Sequence, residues 1–367
     1  MLNISSPTLL LDEVKCRRNI SKMCKKAKQA SVCFRPHFKT HQSIEIGSWF
    51  RAEGVHKITV SSLRMAHYFA EASWGNILIA FPVNPLETDG YEKLAEKCRL
   101  STIVDQVESI RILAEQTASP IECYLDIDTG YKRTGITWND HETIGSYLKL
   151  IEKSKNLRFA GFYCHPGNTY NHIDEKGKLQ IYAYTLDALA KLKNQYADFE
   201  PEILAGDTPG CSLLDTFGIV DTITPGNFVF YDLFQTSIGS CKESEIAVAL
   251  ACPVVGVYPH RNQMVIHGGS THFSKERINV GNQNAFGKLV KLENDFWRSM
   301  EVDLYLTSIS QEHGIIDLGE HNSGNFKVGD IVSILPVHSC LTTNLMRQYL
   351  TLDGRLIQRF NWFSNSC

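Results

Sequence analysis

At 367 residues the chain is too long for one small core, and one large domain or two is expected. Hydrophobic residues make up 43% of it and charged residues 21%, the balance of a soluble globular enzyme. A net charge of -3 with no long run of either sign leaves no basic face for nucleic acid and no footing for a membrane-surface protein.

The N-terminus, MLNISSPTLLLDEVK, has no basic leader followed by a long apolar region, and no apolar run is long enough to span a bilayer, which points to the cytoplasm. In that reducing compartment the 11 cysteines, scattered and without a CxxC pair, are expected to be mostly free core thiols. Residues 13–30 predict a helix, because Cys16, Ile20, Met23, Cys24 and Ala27 recur at helical spacing while lysines and arginines fill the other face. Short apolar runs then alternate with amphipathic segments. VCFRPHF, HKITVSS, NILIAFP, STIVD, ECYLDID, RFAGFYCH, PEILAGD and DTITPGN read as strands, nearly all with a helix between them. Strand–helix alternation implies a parallel sheet, and eight such units over roughly 200 residues predict a (β/α)8 barrel. Its expected extent is 13–235. From 236 to 367 the runs EIAVALACPVVGVYP, QMVIHGG, EVDLYLTSIS, HGIIDLG and DIVSILPVH are joined by turns, which predicts a second, all-β domain that the strand-like SPTLLLD within 1–12 could join.

In such barrels the active site lies at the C-terminal ends of the strands. There the first strand supplies Arg35, His37, Lys39 and His41, and the fifth Asp128, Thr129, Gly130, Tyr131 and Arg133. The sixth ends in Tyr163 and His165, the seventh in Gly206, Asp207 and Thr208, the eighth in Gly226 and Asn227. A lysine at that mouth, in a cationic or partly desolvated setting, releases its proton more readily and becomes a nucleophile suited to a Schiff base. The Gly-rich turns after the seventh and eighth strands offer N–H groups to a phosphate. On residues alone, a Schiff-base lysine and a structural lysine stay open as readings of Lys39. PVHSC leaves two readings as well. On a strand His338 and Cys340 share one face and suit Zn²⁺, or they are a packed histidine and a free thiol. Glu312 and His313 in SQEHG are possible polar neighbours, and His267 and His272 read as loop histidines.

SPTLLLD, RPHFKTH, DIDTGYKRTGI, TPGNFVFYD, SQEHG and PVHSC, in this order over nearly the whole chain, resemble the D-serine dehydratase and D-threonine aldolase family, pyridoxal-phosphate enzymes of the alanine-racemase fold type. The resemblance implies that Lys39 carries the cofactor, Arg133 contacts its phenolic oxygen, and Tyr163 lies close to it. Thr208, Gly226 and Asn227 would bind the phosphate or the ring edge. His338 and Cys340 match a divalent-metal pair, zinc where the motif reads HxC and Mn²⁺ or Mg²⁺ where it reads HxD, as ligand softness requires. It further implies a homodimer acting on a small D-β-hydroxy amino acid. Lys39 would take the Cα proton and the metal would aid the leaving hydroxyl, giving a 2-oxo acid and ammonia. The alternatives are retro-aldol cleavage to glycine and an aldehyde and a non-catalytic pyridoxal-phosphate carrier. Two positions depart from the family pattern: His267 stands where an aspartate is usual, and Asp207 where glycine is preferred.

Overall fold

The structure, a computed structural model, describes residues 2–319 and 325–361. It divides into two compact units, one of residues 21–226 and one of residues 1–20 with 227–361. The last stretch of the predicted β domain, with Cys367, lies outside the described residues. The ten described cysteines are all free thiols. No helix among the described residues is long and apolar enough to cross a membrane.

The chain opens with strand β1 (Thr8–Leu11) and the helix Glu13–Gln29. Asp12 starts that helix by accepting a hydrogen bond from the Lys15 amide at 2.9 Å, and Cys16, Ile20, Met23 and Ala27 are its buried stripe. The strands that follow are β2 (Cys33–Phe34), β3 (Ile58–Val60), β4 (Asn76–Pro82), β5 (Arg99–Val104), β6 (Ile121–Asp128), β7 (Ile136–Thr137), β8 (Leu157–Cys164), β9 (Glu202–Ala205) and β10 (Thr222–Ile223). Apart from β7, which pairs with the end of β6, they form one parallel sheet in the order β2-β10-β9-β8-β6-β5-β4-β3. A parallel bridge between His37, just past β2, and Thr59 of β3 joins its two ends. The eight strands thus make the (β/α)8 barrel that the alternation predicts. Leu78, Ile103, Tyr124, Tyr163 and Leu204 form a cluster within it. The helices are set by side-chain caps at the places where strands hand over: Ser43, Ser62, Asp140, Asp174 and Asp207 each accept from an amide in the first turn that follows.

The other unit is antiparallel but for one pairing. Its strands are β11 (Val248–Tyr258), β12 (Gln263–His267), the hairpin β13 (Ile278–Val280) and β14 (Gln283–Ala285), then β15 (Gly287–Leu292), β16 (Trp297–Ser299), β17 (Tyr305–Ile309), β18 (His313–Asp317), β19 (Ile331–Pro336), β20 (Gln348–Thr351) and β21 (Leu356–Gln358). The ladder β12-β18-β17-β15-β19-β11 is closed by β11 pairing with β12, so the sheet curls into a barrel. The long β11 turns that corner with a register shift between Val254 and Gly256. β1 lies antiparallel to β11, Thr8 opposite Ala251, and parallel to β20.

Candidate active site

Lys39 is the exposed residue in an otherwise buried run from Arg35 to Ser43. The run is buried because it closes the barrel. The amides of His37 and Phe38 donate to Pro225 O (2.9 Å) and Thr59 O (2.8 Å), and Thr59 returns a bond to Pro36 O at 2.9 Å. Phe38 sits among Phe50, Phe69 and Trp74, with ring centroids 5.0 to 5.1 Å apart. His41 packs against the same rings, accepts from the Ser43 amide, and is held neutral by burial, its pKa pushed down to about 3. It belongs to the core. Lys39 instead stands on the seam, with its backbone carbonyl accepting from Gln42 Nε2 at 3.0 Å.

Arg133 lies in the turn after β6. Asp128 Oδ1 accepts from the Gly130 and Lys132 amides at 2.9 and 3.0 Å, and Lys132 is in the left-handed region at φ 58°. The Arg133 guanidinium lies 5.2 Å from the centroid of the Tyr131 ring. At the end of β8, Tyr163 is buried, and burial first, then the charge of Asp126, pushes its phenol well up, with Arg133 opposing. His165 is held at about 3, by burial first and then by the positive charges of Lys39 and Arg133. The same two cations, after burial, push His37 down. Lys39 and Arg133 therefore act on two histidines kept neutral between them, an electropositive mouth at the strand ends.

The turns after β9 and β10 are tight. Gly206 has φ 146°, and an added Cβ there would lie 3.1 Å from the Thr224 amide nitrogen. A Cβ on Gly226 would lie 3.0 Å from both Cβ and the carbonyl oxygen of His37, so backbone runs directly against the loop that carries Lys39. Thr208 Oγ1 is buried without a hydrogen-bond partner. Asp207, the departure from the family pattern, spends its carboxylate as the N-cap of the helix Thr208–Leu213. It accepts from the Gly210 amide and from the hydroxyls of Tyr182 and Thr169. An exposed lysine, an arginine, an orphaned buried hydroxyl and two glycine turns are a donor set that fits a phosphorylated pyridine aldehyde.

Asn227 opens the other unit and meets the second cluster. Its Nδ2 donates to Asp232 Oδ2 (2.7 Å) and Ser339 Oγ (3.1 Å) and lies 3.6 Å from Cys340 Sγ, while its Oδ1 is buried and unpartnered. His338 and Cys340 do not share a strand face as predicted: β19 ends at Pro336, and His338 is the N-cap of the helix Ser339–Leu345. The reason lies 107 residues upstream in sequence, where Asp232 accepts from the Ser339 amide at 2.9 Å and turns the chain. The two side chains nonetheless meet in a hydrogen bond. Burial, the largest influence on His338, lowers its pKa; the bond and charge of Cys340, then Asp232 and Glu276, outweigh it and raise the imidazole to about 9. No three His, Cys, Asp or Glu side chains gather tightly enough to hold a metal among the described residues. A metal at this place would have at most two protein donors among the described residues, the His338 imidazole and the Cys340 sulfur, and would have to displace the proton they share, its further positions left to water or substrate.

His267 ends β12 opposite His313, and His272 lies in the short helix Ser270–Phe273, not in a loop; their rings are 5.8 Å apart. Glu312 acts electrostatically on His272, so SQEHG faces these histidines. Two carboxylates escaped the sequence reading, Asp126 and Asp232. Asp126 could have been found from alternation, because it shares a strand face with Tyr124 and Asp128 in ECYLDID.

Residues 11–232 match the family model described as "Alanine racemase, N-terminal domain", and residues 247–352 match "Putative serine dehydratase domain". The chain is 28% identical to D-serine dehydratase of Dictyostelium discoideum, over 98% of this chain and 96% of that one. It is 26% identical to D-threo-3-hydroxyaspartate dehydratase of Delftia sp. (strain HT23), covering 96% of each chain. The solved structure of the Delftia sp. HT23 enzyme superposes with a TM-score of 0.89 at 24% identity, covering 98% of this chain and 99% of that chain. D-threonine aldolase from Filomicrobium marinum superposes with a TM-score of 0.83 at 20% identity, covering 97% and 94%.

Proposed function

The chain belongs to the alanine racemase N-terminal domain family, and on that premise we propose that it is a pyridoxal-phosphate-dependent lyase that converts a D-β-hydroxy amino acid to a 2-oxo acid and ammonia. The observation that carries this reading is Lys39, exposed on the closing seam of the barrel with Arg133 and two neutral histidines around it. Dehydratases among the relatives support the reaction class.

Pyridoxal phosphate, held by Lys39, supplies the sink for the electron pair left at Cα when its proton departs. The chain's own residues do the rest. Lys39, released from the cofactor when the substrate amine takes its place, would take the Cα proton at Nζ. Arg133 would hold the cofactor's phenolic oxygen as the anion through a charge-assisted hydrogen bond. The Thr208 hydroxyl, the backbone at Gly226 and Asn227 would bind the phosphate or ring edge. Tyr163, whose phenol burial keeps protonated, is a hydrogen-bond donor. A zinc ion on His338 and Cys340 would supply a Lewis acid for the departing hydroxide, and the thiolate favours zinc over Mn²⁺ or Mg²⁺. Breaking Cα–H and Cβ–O releases water, and the resulting enamine takes up water to give the 2-oxo acid and ammonia. In this reading residues 13–235 hold the pyridoxal phosphate, and residues 236–367 with 1–12 carry the metal. The enzyme is a cytoplasmic homodimer with no nucleic-acid or membrane partner.

Product identification with D-serine, D-threonine and D-threo-3-hydroxyaspartate tests the proposal. Ammonia with a 2-oxo acid is expected. Glycine with an aldehyde would replace elimination by retro-aldol cleavage, and absence of turnover with bound cofactor would make the protein a carrier.

A further inference from the structure

β6 brings Tyr124, Asp126 and Asp128 to one face of the strand. Asp126 is only 4% exposed, and its Oδ2 accepts from Thr134 Oγ1 at 2.7 Å. Thr134 follows Arg133 directly, so this bond ties down the far side of the arginine's turn. The near side is tied by Asp128, and the return to β7 by the Gly135 amide, which donates to Asp105 Oδ2 at 3.0 Å. Gly135 has φ 100° and room for no side chain: a Cβ would sit 3.0 Å from the Asp128 amide nitrogen and 3.1 Å from Asp126 O. The charged and titratable groups facing Asp126 are Asp105 from the end of β5, Asp128 from its own strand, Arg133 from the turn, and Tyr163 and Cys164 from β8. Among these Arg133 is the one cation.

We propose that Asp126 is a positioning residue for the reaction proposed above: through Thr134 it fixes the backbone that presents Arg133, and its carboxylate is the counter-charge against which the guanidinium is set. The inference rests on the lyase reading for its catalytic consequence and on the hydrogen bonds for its structural one. Burial, the largest influence, raises the Asp126 carboxyl to about 6; the Thr134 bond and Arg133 pull it down, and Asp105 and Asp128 push it up. Below that pH the counter-charge is lost and Arg133 answers to the cofactor alone.

Two variants separate the halves. Asp126→Asn keeps an acceptor for Thr134 and removes the charge, whereas Thr134→Val removes the bond and keeps the charge. Backbone hydrogen exchange of residues 129–136 is read on the full-length protein, together with the pH dependence of the cofactor absorption band. Thr134→Val should speed exchange in the turn about fivefold, the effect of losing one hydrogen bond of about 1 kcal/mol, with the pH dependence retained. Asp126→Asn should exchange no faster than wild type and lose the spectral transition near pH 6. Unchanged exchange in Thr134→Val, or a wild-type transition in Asp126→Asn, overturns the proposal. If wild-type protein takes up no pyridoxal phosphate, the lyase reading falls, and the exchange result alone then decides whether Asp126 and Thr134 hold the turn.

Discussion

Replacing Gly226 with alanine tests the seam on which Lys39 stands. The added methyl would meet His37 Cβ and His37 O at 3.0 Å and Thr40 Oγ1 at 3.4 Å. Ordinary carbon contacts begin near 3.5 Å, so about half an ångström must be found. It cannot come easily from His37, whose amide is bonded to Pro225 O and whose neighbours on both sides are bonded to Thr59. The backbone on the Lys39 side must therefore shift, at about 1–3 kcal/mol, the usual penalty for one methyl too many in a packed site. If the strain is relieved by moving Lys39, pyridoxal phosphate should bind about tenfold more weakly, since 1.4 kcal/mol is a factor of ten. Gly145 is the control. It lies inside the helix His141–Lys153 with nothing within 4 Å of a built Cβ, so Gly145→Ala should stabilise by roughly 0.5–1 kcal/mol. Urea unfolding followed by circular dichroism gives the stabilities, and titration of the absorbance band gives the affinity. Equal stability and equal cofactor affinity in Gly226→Ala and wild type would refute the argument that the seam is rigid.

Lys39→Ala should fold normally and lose the yellow colour, and borohydride reduction of wild type should leave the label on the peptide containing Lys39; a label elsewhere removes the assignment. Chelation should abolish ammonia release from D-serine while the cofactor stays bound, His338→Ala should do the same, and Cys340→Asp should shift the metal preference towards Mn²⁺ or Mg²⁺. Full activity in a metal-free preparation would end the zinc proposal. The raised carboxyl of Asp126 has a stability signature too. Its folded pKa of about 6 lies above the ordinary 3.8, so its contribution is fully present below about pH 4 and is lost as pH rises through 6. Asp126→Asn should thus be more stable than wild type at pH 8, by up to about 3 kcal/mol at 1.36 kcal/mol per pKa unit, with the gap closing towards pH 4. A gap independent of pH would show that the carboxyl titrates normally.

The eight strands of the barrel were legible because short apolar runs alternate with amphipathic ones, a pattern local to each segment. RPHFKTH was legible as a polar cluster, but not that Lys39 alone among its neighbours stays exposed; that depends on the pairing of His37 with Thr59 and Pro225, which no local pattern encodes. The strand expected at PVHSC is absent for the same reason. The apolar run IVSILP invites continuation as strand, and the turn into a helix is imposed by Asp232, remote in sequence. Nothing local to LAGDTPG encodes that the Asp207 carboxylate is taken up by the hydroxyls of Tyr182 and Thr169.

The pairing of β1 with β11 and β20 also governs the order in which a growing chain can finish folding. The apolar triplet Leu9–Leu11 is made early, yet its partners, residues 248–250 and 350–351, follow more than two hundred and more than three hundred residues later. Residues 21–226 can condense meanwhile, once β10 has been made to pair with β2. The second unit completes the pairings of β1 only when residues 350–351 have been made. Such long-range pairing is slow, and the waiting strand is exposed to wrong partners. Nascent chains cut between residues 227 and 247 should therefore carry all the barrel strands and a leucine strand with neither partner yet made, the species on which a chaperone would act.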